Sequence, residues 1–280
     1  MGKADGMGAR VIPGFGLTLG LTIAMLSLVV LLPLAAVFVA AAGLSWDGFA
    51  AVALSDRAVA AYRLSFGTAS VAAAINALFG LITAWVLVRY EFPGRRLISG
   101  LVDLPFALPT AVAGIALTAL YAPSGWLGRH LEAAGLPVAF TPFGIILALV
   151  FVGLPFVVRT VEPVLADLAQ DVEEAAATLG ASRWQTISRV VLPALLPAIT
   201  TGFVLGLARG LGEYGSVIFI AGNMPWRTEI APLLVVVQLE QYSVAGAAAV
   251  AATLMLFSFC LLLAINLVQG LQRRRMDARA

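Results

Sequence analysis

Long apolar runs separated by short polar ones dominate this chain, and they fall at about 15–43, 62–88, 97–121, 143–160, 195–221 and 245–270. Each approaches or exceeds the roughly 20 residues that an α-helix needs to cross a bilayer core. The pattern predicts an all-α integral membrane protein with six transmembrane helices. The first run follows Lys3 and Arg10, as a secretory signal would, but its length is about twice the usual apolar core of such signals, so it reads as a retained span. Residues 1–14 then form an N-terminal tail, 15–270 one six-span domain, and 271–280 a basic tail.

Breakers interrupt the middle runs. Pro105 and Pro109 lie in the third, Pro155 in the fourth, and Gly202, Gly206, Gly210 and Gly212 in the fifth. Proline frees backbone groups that neighbours or a wet cavity must satisfy, so these spans belong inside a packed bundle. Orientation follows from the basic residues. With both termini in the cytoplasm, the inner side holds Lys3, Arg10, Arg89, Arg95, Arg96, Arg159, Arg183, Arg189, Arg273, Arg274, Arg275 and Arg279, and the outer side Arg57, Arg63, Arg129 and Arg227. That is 12 against 4, the bias expected of a cytoplasmic inner face.

Composition agrees. Hydrophobic residues make up 61% and charged residues 11%, which excludes a soluble globular domain. The small surplus of 17 Lys+Arg over 15 Asp+Glu suggests no nucleic-acid partner. Cys260 stands alone in an apolar run and reads as a small buried side chain; His130 reads as a solvated loop residue, so no metal cluster is expected.

One polar island breaks the apolar pattern, the loop 160–193 between the fourth and fifth runs. Val161, Leu165, Leu168, Val172, Ala175 and Leu179 recur at spacings of three and four, predicting one apolar stripe along a helix. Gly180 suits a left-handed C-cap, Ser182 an N-cap for a second short helix carrying Trp184, Ile187 and Val191, and Pro193 the start of the next span. The expectation is a helix-turn-helix lying along the membrane. Its Glu and Asp residues argue against simple adsorption on headgroups, and Ala175, Ala176 and Ala177 permit close approach by another surface.

The fifth run carries the second candidate. Arg209 and Glu213 are four apart, share a helix face and can pair. Charges at membrane depth usually face a bundle interior or a cavity, so the pair is either structural or part of a pathway. Gly202, Gly206 and Gly210 form a small-residue stripe for close helix packing. No GxxxxGK[ST], HExxH or GxSxG sequence occurs, so no ATP-binding loop or hydrolase motif is present and any energy comes from another polypeptide.

Glu174, Ala175, Ala176 and Gly180, followed by Val190, Leu192 and Pro193, resemble the EAA–G–(I)xLP signature of permease subunits of bacterial ABC importers, with Val190 at the family's usual Ile. Residues 104–114 (LPFALPTAVAG), Arg209, 212–216 (GEYGS), 218–225 (IFIAGNMP) and 239–242 (LEQY) are similar to the T-type subunit of sulfate/thiosulfate permeases, and the likeness spans nearly all of 15–275. The resemblance implies a type I ABC importer permease fold with a cytoplasmic coupling helix-turn-helix seated on an ABC ATPase subunit. It implies a second, W-type permease as heterodimer partner, a periplasmic sulfate/thiosulfate-binding protein, and ATP and Mg bound by the ATPase, with no cofactor in this chain. It implies residence in the bacterial inner membrane with both termini cytoplasmic. Arg209, Glu213, Ser216, Asn223 and Thr110 are the candidates for a wet, low-affinity path, since oxyanions are held by N–H groups, hydroxyls and helix termini. Another oxyanion such as molybdate, and an ion-coupled secondary transporter, are the competing readings.

Overall fold

The computed structural model describes residues 15–277; the expected tail 1–14 and residues 278–280 lie outside the described residues. The helices follow in the order α1 (Phe15–Ala42), α2 (Trp46–Ala53), α3 (Asp56–Arg89), α4 (Arg95–Ala107), α5 (Thr110–Tyr121) and α6 (Gly128–Ala133). Then come α7 (Pro142–Asp167), α8 (Gln170–Thr178), α9 (Arg183–Leu211), α10 (Val217–Ile220), α11 (Ala231–Glu240) and α12 (Val244–Asp277).

Five of these are long and apolar enough to cross a membrane, and α4 with α5 makes a sixth as a pair bent by 113°. The third run is therefore a broken span. Leu108 precedes Pro109 and is extended (φ −88°, ψ 134°), because the proline ring disfavours helical backbone in the residue before it. The fifth span also departs from expectation. Its helix starts at Arg183, runs through Pro193 without a break and ends at Leu211. A π-helical turn, Ile187–Val191, absorbs the proline, and the Leu192 N–H reaches back to the Ile187 carbonyl. The same device, Ser27–Leu31 with Leu32 N–H bonded to Ser27, precedes Pro33 in α1. One extra residue per turn relieves the crowding of a proline ring against the preceding turn. At the C-terminal end α12 continues past residue 270 to Asp277, so helix and basic tail are one backbone element.

The core is the crossing of α3, α7 and α9. Ala84, Val157, Val158, Val161, Leu165, Val191 and Leu195 pack at one end, and Ala69, Ala72, Ile145, Leu149, Leu207 and Leu211 at the other. Small residues set the separation: a Cβ on Gly202 would lie 2.8 Å from Val157 Cα, and one on Gly80 2.7 Å from Val157 Cγ1. Asn76 is buried here beside Gly153, with no hydrogen-bond partner among the described residues. In α1 only Ala41 is buried among the described residues, which leaves an apolar face for lipid or another chain.

Ion pairs lock elements that are distant in sequence. The Arg57 guanidinium, at the start of α3, forks onto Glu229 with Nε–Oε2 at 2.7 Å and Nη2–Oε1 at 2.6 Å. The Ala231 N–H bonds Ser65 Oγ at 2.8 Å, so the segment before α11 is clasped to α3 at two points. Arg159 of α7 donates through Nε to Asp103 Oδ1 at 2.8 Å and through Nη2 to the Ser99 carbonyl at 2.9 Å, and it also pairs with Glu162. Asp103 thus binds α4 to α7. His130 is exposed, as expected, but lies in helix α6 rather than in a loop, and it accepts from Arg129 Nε at 3.2 Å. Cys260 is exposed rather than buried, because it lies on the outer side of α12 near exposed Phe257 and Phe259.

Candidate functional site

The polar island folds into two helical arms, but not along a single stripe. α7 ends at Asp167, Leu168 and Ala169 are extended, and α8 begins at Gln170. Val161 and Leu165 are therefore fully buried in α7, whereas Val172 and Leu179 are exposed. The turn after α8 is stiffened from both sides. Gly180 has φ +83°; its N–H bonds the Ala177 carbonyl at 2.9 Å and the Ala181 N–H bonds Ala176 at 3.0 Å, the paired bonds of a Schellman C-cap. Ser182 and Gln185 then form a capping box, with Ser182 N–H on Gln185 Oε1 at 2.8 Å and Gln185 N–H on Ser182 Oγ at 3.3 Å. Glu174 and Ala175 are exposed, Ala176 half-buried, and Gly180 exposed at the tip. Leu179 is 89% exposed and Trp184 75%, so the turn presents bare apolar side chains.

Val190, Leu192 and Pro193 lie on α9, away from the tip. Leu192 lines an apolar groove of about 310 Å³ with Leu81, Trp85, Tyr90, Ile187 and Leu195, while neighbouring Val191 is buried in the core. The proline and its flanking leucine mark the π turn that carries the second arm into the fifth span.

At the other end of α9 the polar candidates converge. Arg209 Nη1 lies 2.5 Å from Glu213 Oε2, although Glu213 falls past the helix end and not on the continuing face that the spacing predicts. Glu213 is 2% exposed, and its Oε1 accepts from Ser216 N–H and Ser216 Oγ, both at 2.9 Å. The carboxylate thereby folds the turn that ends α9 and starts α10. In this conformation both Ser216 donors are engaged by Glu213, and about a third of the Arg209 side chain, 34%, stays exposed. Thr110, at the start of α5, packs its Oγ1 against Gly215, so the bend of the broken span meets this turn. Asn223 sits beyond α10 with φ +54°, where Nδ2 donates to the Ile218 carbonyl at 2.8 Å and Oδ1 is buried without a partner among the described residues. Sequence reading missed the Arg57–Glu229 fork and the Arg89–Glu173 ion pair, whose partners lie far apart in the chain.

Gly114 of α5 makes a close backbone contact at this site. A Cβ there would lie 2.8 Å from Ser216 Cα and would overlap its carbonyl oxygen. Gly114→Ala is expected to destabilise the fold by about 1–3 kcal/mol, as forced overpacking does, whereas Gly212→Ala, with open space around it, should be nearly silent. Thermal unfolding of the detergent-solubilised variants checks the contrast.

A broken third span, a core of crossed helices and a stiff polar hairpin define a membrane permease. Residues 76–277 match the binding-protein-dependent transport system inner membrane component family, and the chain belongs to it. Among its relatives, the sulfate transport system permease protein CysT of Escherichia coli (strain K12) is 46% identical over 267 residues, covering 95% of this chain and 96% of that one. CysT of Synechocystis sp. (strain ATCC 27184 / PCC 6803 / Kazusa) is 47% identical over 253 residues, covering 90% and 88%. In fold, the chain resembles one from a bacterial alginate ABC transporter crystallised with an alginate-bound periplasmic protein (TM-score 0.73, 19% identity, 94% of each chain). A chain of the MetNI methionine ABC transporter is a further neighbour (TM-score 0.55, 18% identity, 78% of this chain and 94% of that one). The fold is that of a type I ABC importer permease, and the chain is a transport protein rather than an enzyme.

Proposed function

We propose that this chain is the T-type permease subunit of an ATP-driven importer that carries sulfate and thiosulfate across the bacterial inner membrane. The CysT relatives support the substrate class, since they match over nearly the whole length of both chains. Sulfate presents acceptor oxygens only, and two donors near the broken span suit such an anion, the Thr110 hydroxyl and the exposed part of Arg209; buried Ser216 joins them only if Glu213 releases it. Full desolvation of a divalent anion is costly, so passage is wet and weak, and a periplasmic sulfate/thiosulfate-binding protein supplies tight selection.

Energy enters through the hairpin. A rigid turn with bare Leu179 and Trp184 is the observation that carries this reading, because such side chains on a soluble face call for a partner surface. The partner is a separate ABC ATPase subunit, which binds ATP and Mg; this chain binds no cofactor. Glu174, Ala175, Ala176 and Gly180 form the docking arm, and Val190, Leu192 and Pro193 the root that passes its movement into α9. The exposed flank of the bundle meets a W-type sister permease in a heterodimer, with lipid around both. Both termini face the cytoplasm. The ion pairs support that siding, since Arg89–Glu173 and Arg159–Asp103 each join residues of the predicted inner face and Arg57–Glu229 residues of the outer one.

Membrane vesicles test the reading. Uptake of labelled sulfate is expected to persist with a protonophore, so long as ATP is present, and to stop when the ATPase subunit is deleted. Uptake that collapses with the ion gradient would instead indicate a secondary transporter.

A further inference from the structure

The junction between α7 and the hairpin breaks where the sequence offers no reason for a break. Leu168 and Ala169 are extended, yet neither proline nor glycine lies between Pro163 and Gly180. Because the Val172 N–H bonds Ala169 rather than Leu168, the Leu168 carbonyl leaves the helical ladder. Arg89, the last residue of α3, receives it. Its Nη2 donates to the Leu168 carbonyl at 3.1 Å and to Glu173 Oε1, in the first turn of α8, at 2.7 Å. One guanidinium nitrogen thus holds both sides of the break. Arg89 is only 10% exposed and stacks 5.8 Å from the Trp85 ring, so its position is fixed by its own helix.

Around this link hairpin and α3 are separated by a cleft of about 450 Å³, lined by Arg89 and Glu173 themselves together with Trp85, Glu174, Ala177 and Arg183. Among the described residues, the hydrogen bonds that cross from residues 168–178 to α3 all come from Arg89. Its Nε is buried with no hydrogen-bond partner among the described residues.

We propose that Arg89 is a positioning residue for coupling: a strut that makes α3 move with the hairpin. The inference rests on the docking of the hairpin on an ATPase subunit. The hairpin is continuous with α9 through the π turn and joined to α7 through the break, but it shares no peptide connection with α3. Without Arg89 the first arm rocks about Leu168–Ala169 with no polar tie to the end of α3, which is then moved only through its packing on α7 and α9. With it, the movement reaches the helix that carries Gly80 and Asn76 into the core crossing.

The test uses the whole assembly in proteoliposomes, with labelled sulfate as the probe, and reads sulfate moved per ATP hydrolysed. Arg89→Met keeps the stem over Trp85 and removes the donors; it is expected to lower the ratio about fivefold, while Arg89→Lys stays within about twofold of the parent. A purely structural role would lower protein amount, uptake and hydrolysis together and leave the ratio unchanged. An unchanged ratio in Arg89→Met, or equal loss in Arg89→Lys, would overturn the strut. If Arg89→Met fails to insert, Glu173→Gln decides on the same ratio: about a twofold drop supports the link, and no change refutes it. Cross-linking of position 175 to the ATPase separates the two ideas. Its absence in the otherwise unaltered chain removes the docking reading, whereas its presence in Arg89→Met with an unchanged ratio removes the strut alone.

Discussion

Replacing Ala175 with tryptophan is expected to abolish ATP-driven sulfate uptake while the chain still folds and inserts. Ala175 is exposed on α8, and its carbonyl is satisfied within the helix by the Leu179 N–H. A large side chain there meets nothing inside the chain, so the isolated protein has no reason to suffer. An apposed surface has every reason: an indole forced into a closely packed interface should reduce uptake by about a hundredfold or more, the scale of a hot-spot loss. Vesicle uptake normalised to the amount of inserted protein measures the effect. Uptake near the parent level would mean that the alanine face is open to solvent during transport.

The second large effect is expected at Arg209. Arg209→Ala leaves the Glu213 carboxylate 2% exposed and without its counter-charge. Removing one partner of a fully buried pair costs about 3–5 kcal/mol, and because Arg209 is itself 34% exposed the loss here is expected to be smaller, about 1–3 kcal/mol. Glu213→Gln should cost less, because the amide oxygen still accepts from Ser216 N–H and Oγ. The double variant Arg209→Ala/Glu213→Gln is therefore expected to regain most of the lost stability. Unfolding of the solubilised protein reads that recovery, and uptake reads the rest. We expect uptake to stay at least about tenfold down in the double variant, since the partly exposed guanidinium at the end of α9 is gone. Recovery of both would reduce Arg209 to a counter-ion for Glu213.

The features that sequence revealed are those with a local cause. Apolar length located the spans, with Asp56–Arg89 and Pro142–Asp167 both overlapping their predicted runs. Gly180 and Ser182 announced a cap on each side of the turn, because left-handed backbone and a hydroxyl N-cap are single-residue requirements. Other features depend on groups far away in the chain. The break at Leu168–Ala169 has no local breaker and is answered by Arg89 from another helix. Glu229 pairs with Arg57 across 172 positions, beyond any periodicity. The π turns were not legible either: each precedes a Leu-Pro step within an apolar run, but Leu154-Pro155 and Leu196-Pro197 lie in ordinary α-helix, so the step alone does not announce one. At Glu213 the four-residue spacing suggested the right partner for the wrong reason, since Gly212 ends the helix and the carboxylate reaches Arg209 from the turn.

The central claim is that the short hairpin between the fourth and fifth spans bears on a separate ATP-hydrolysing subunit. Ala175→Cys in a Cys260→Ser background, cross-linked in membranes that are importing sulfate, tests it most directly. Capture of the ATPase subunit at position 175 is the expected result. Vigorous uptake with no nucleotide-hydrolysing protein ever captured there would contradict it.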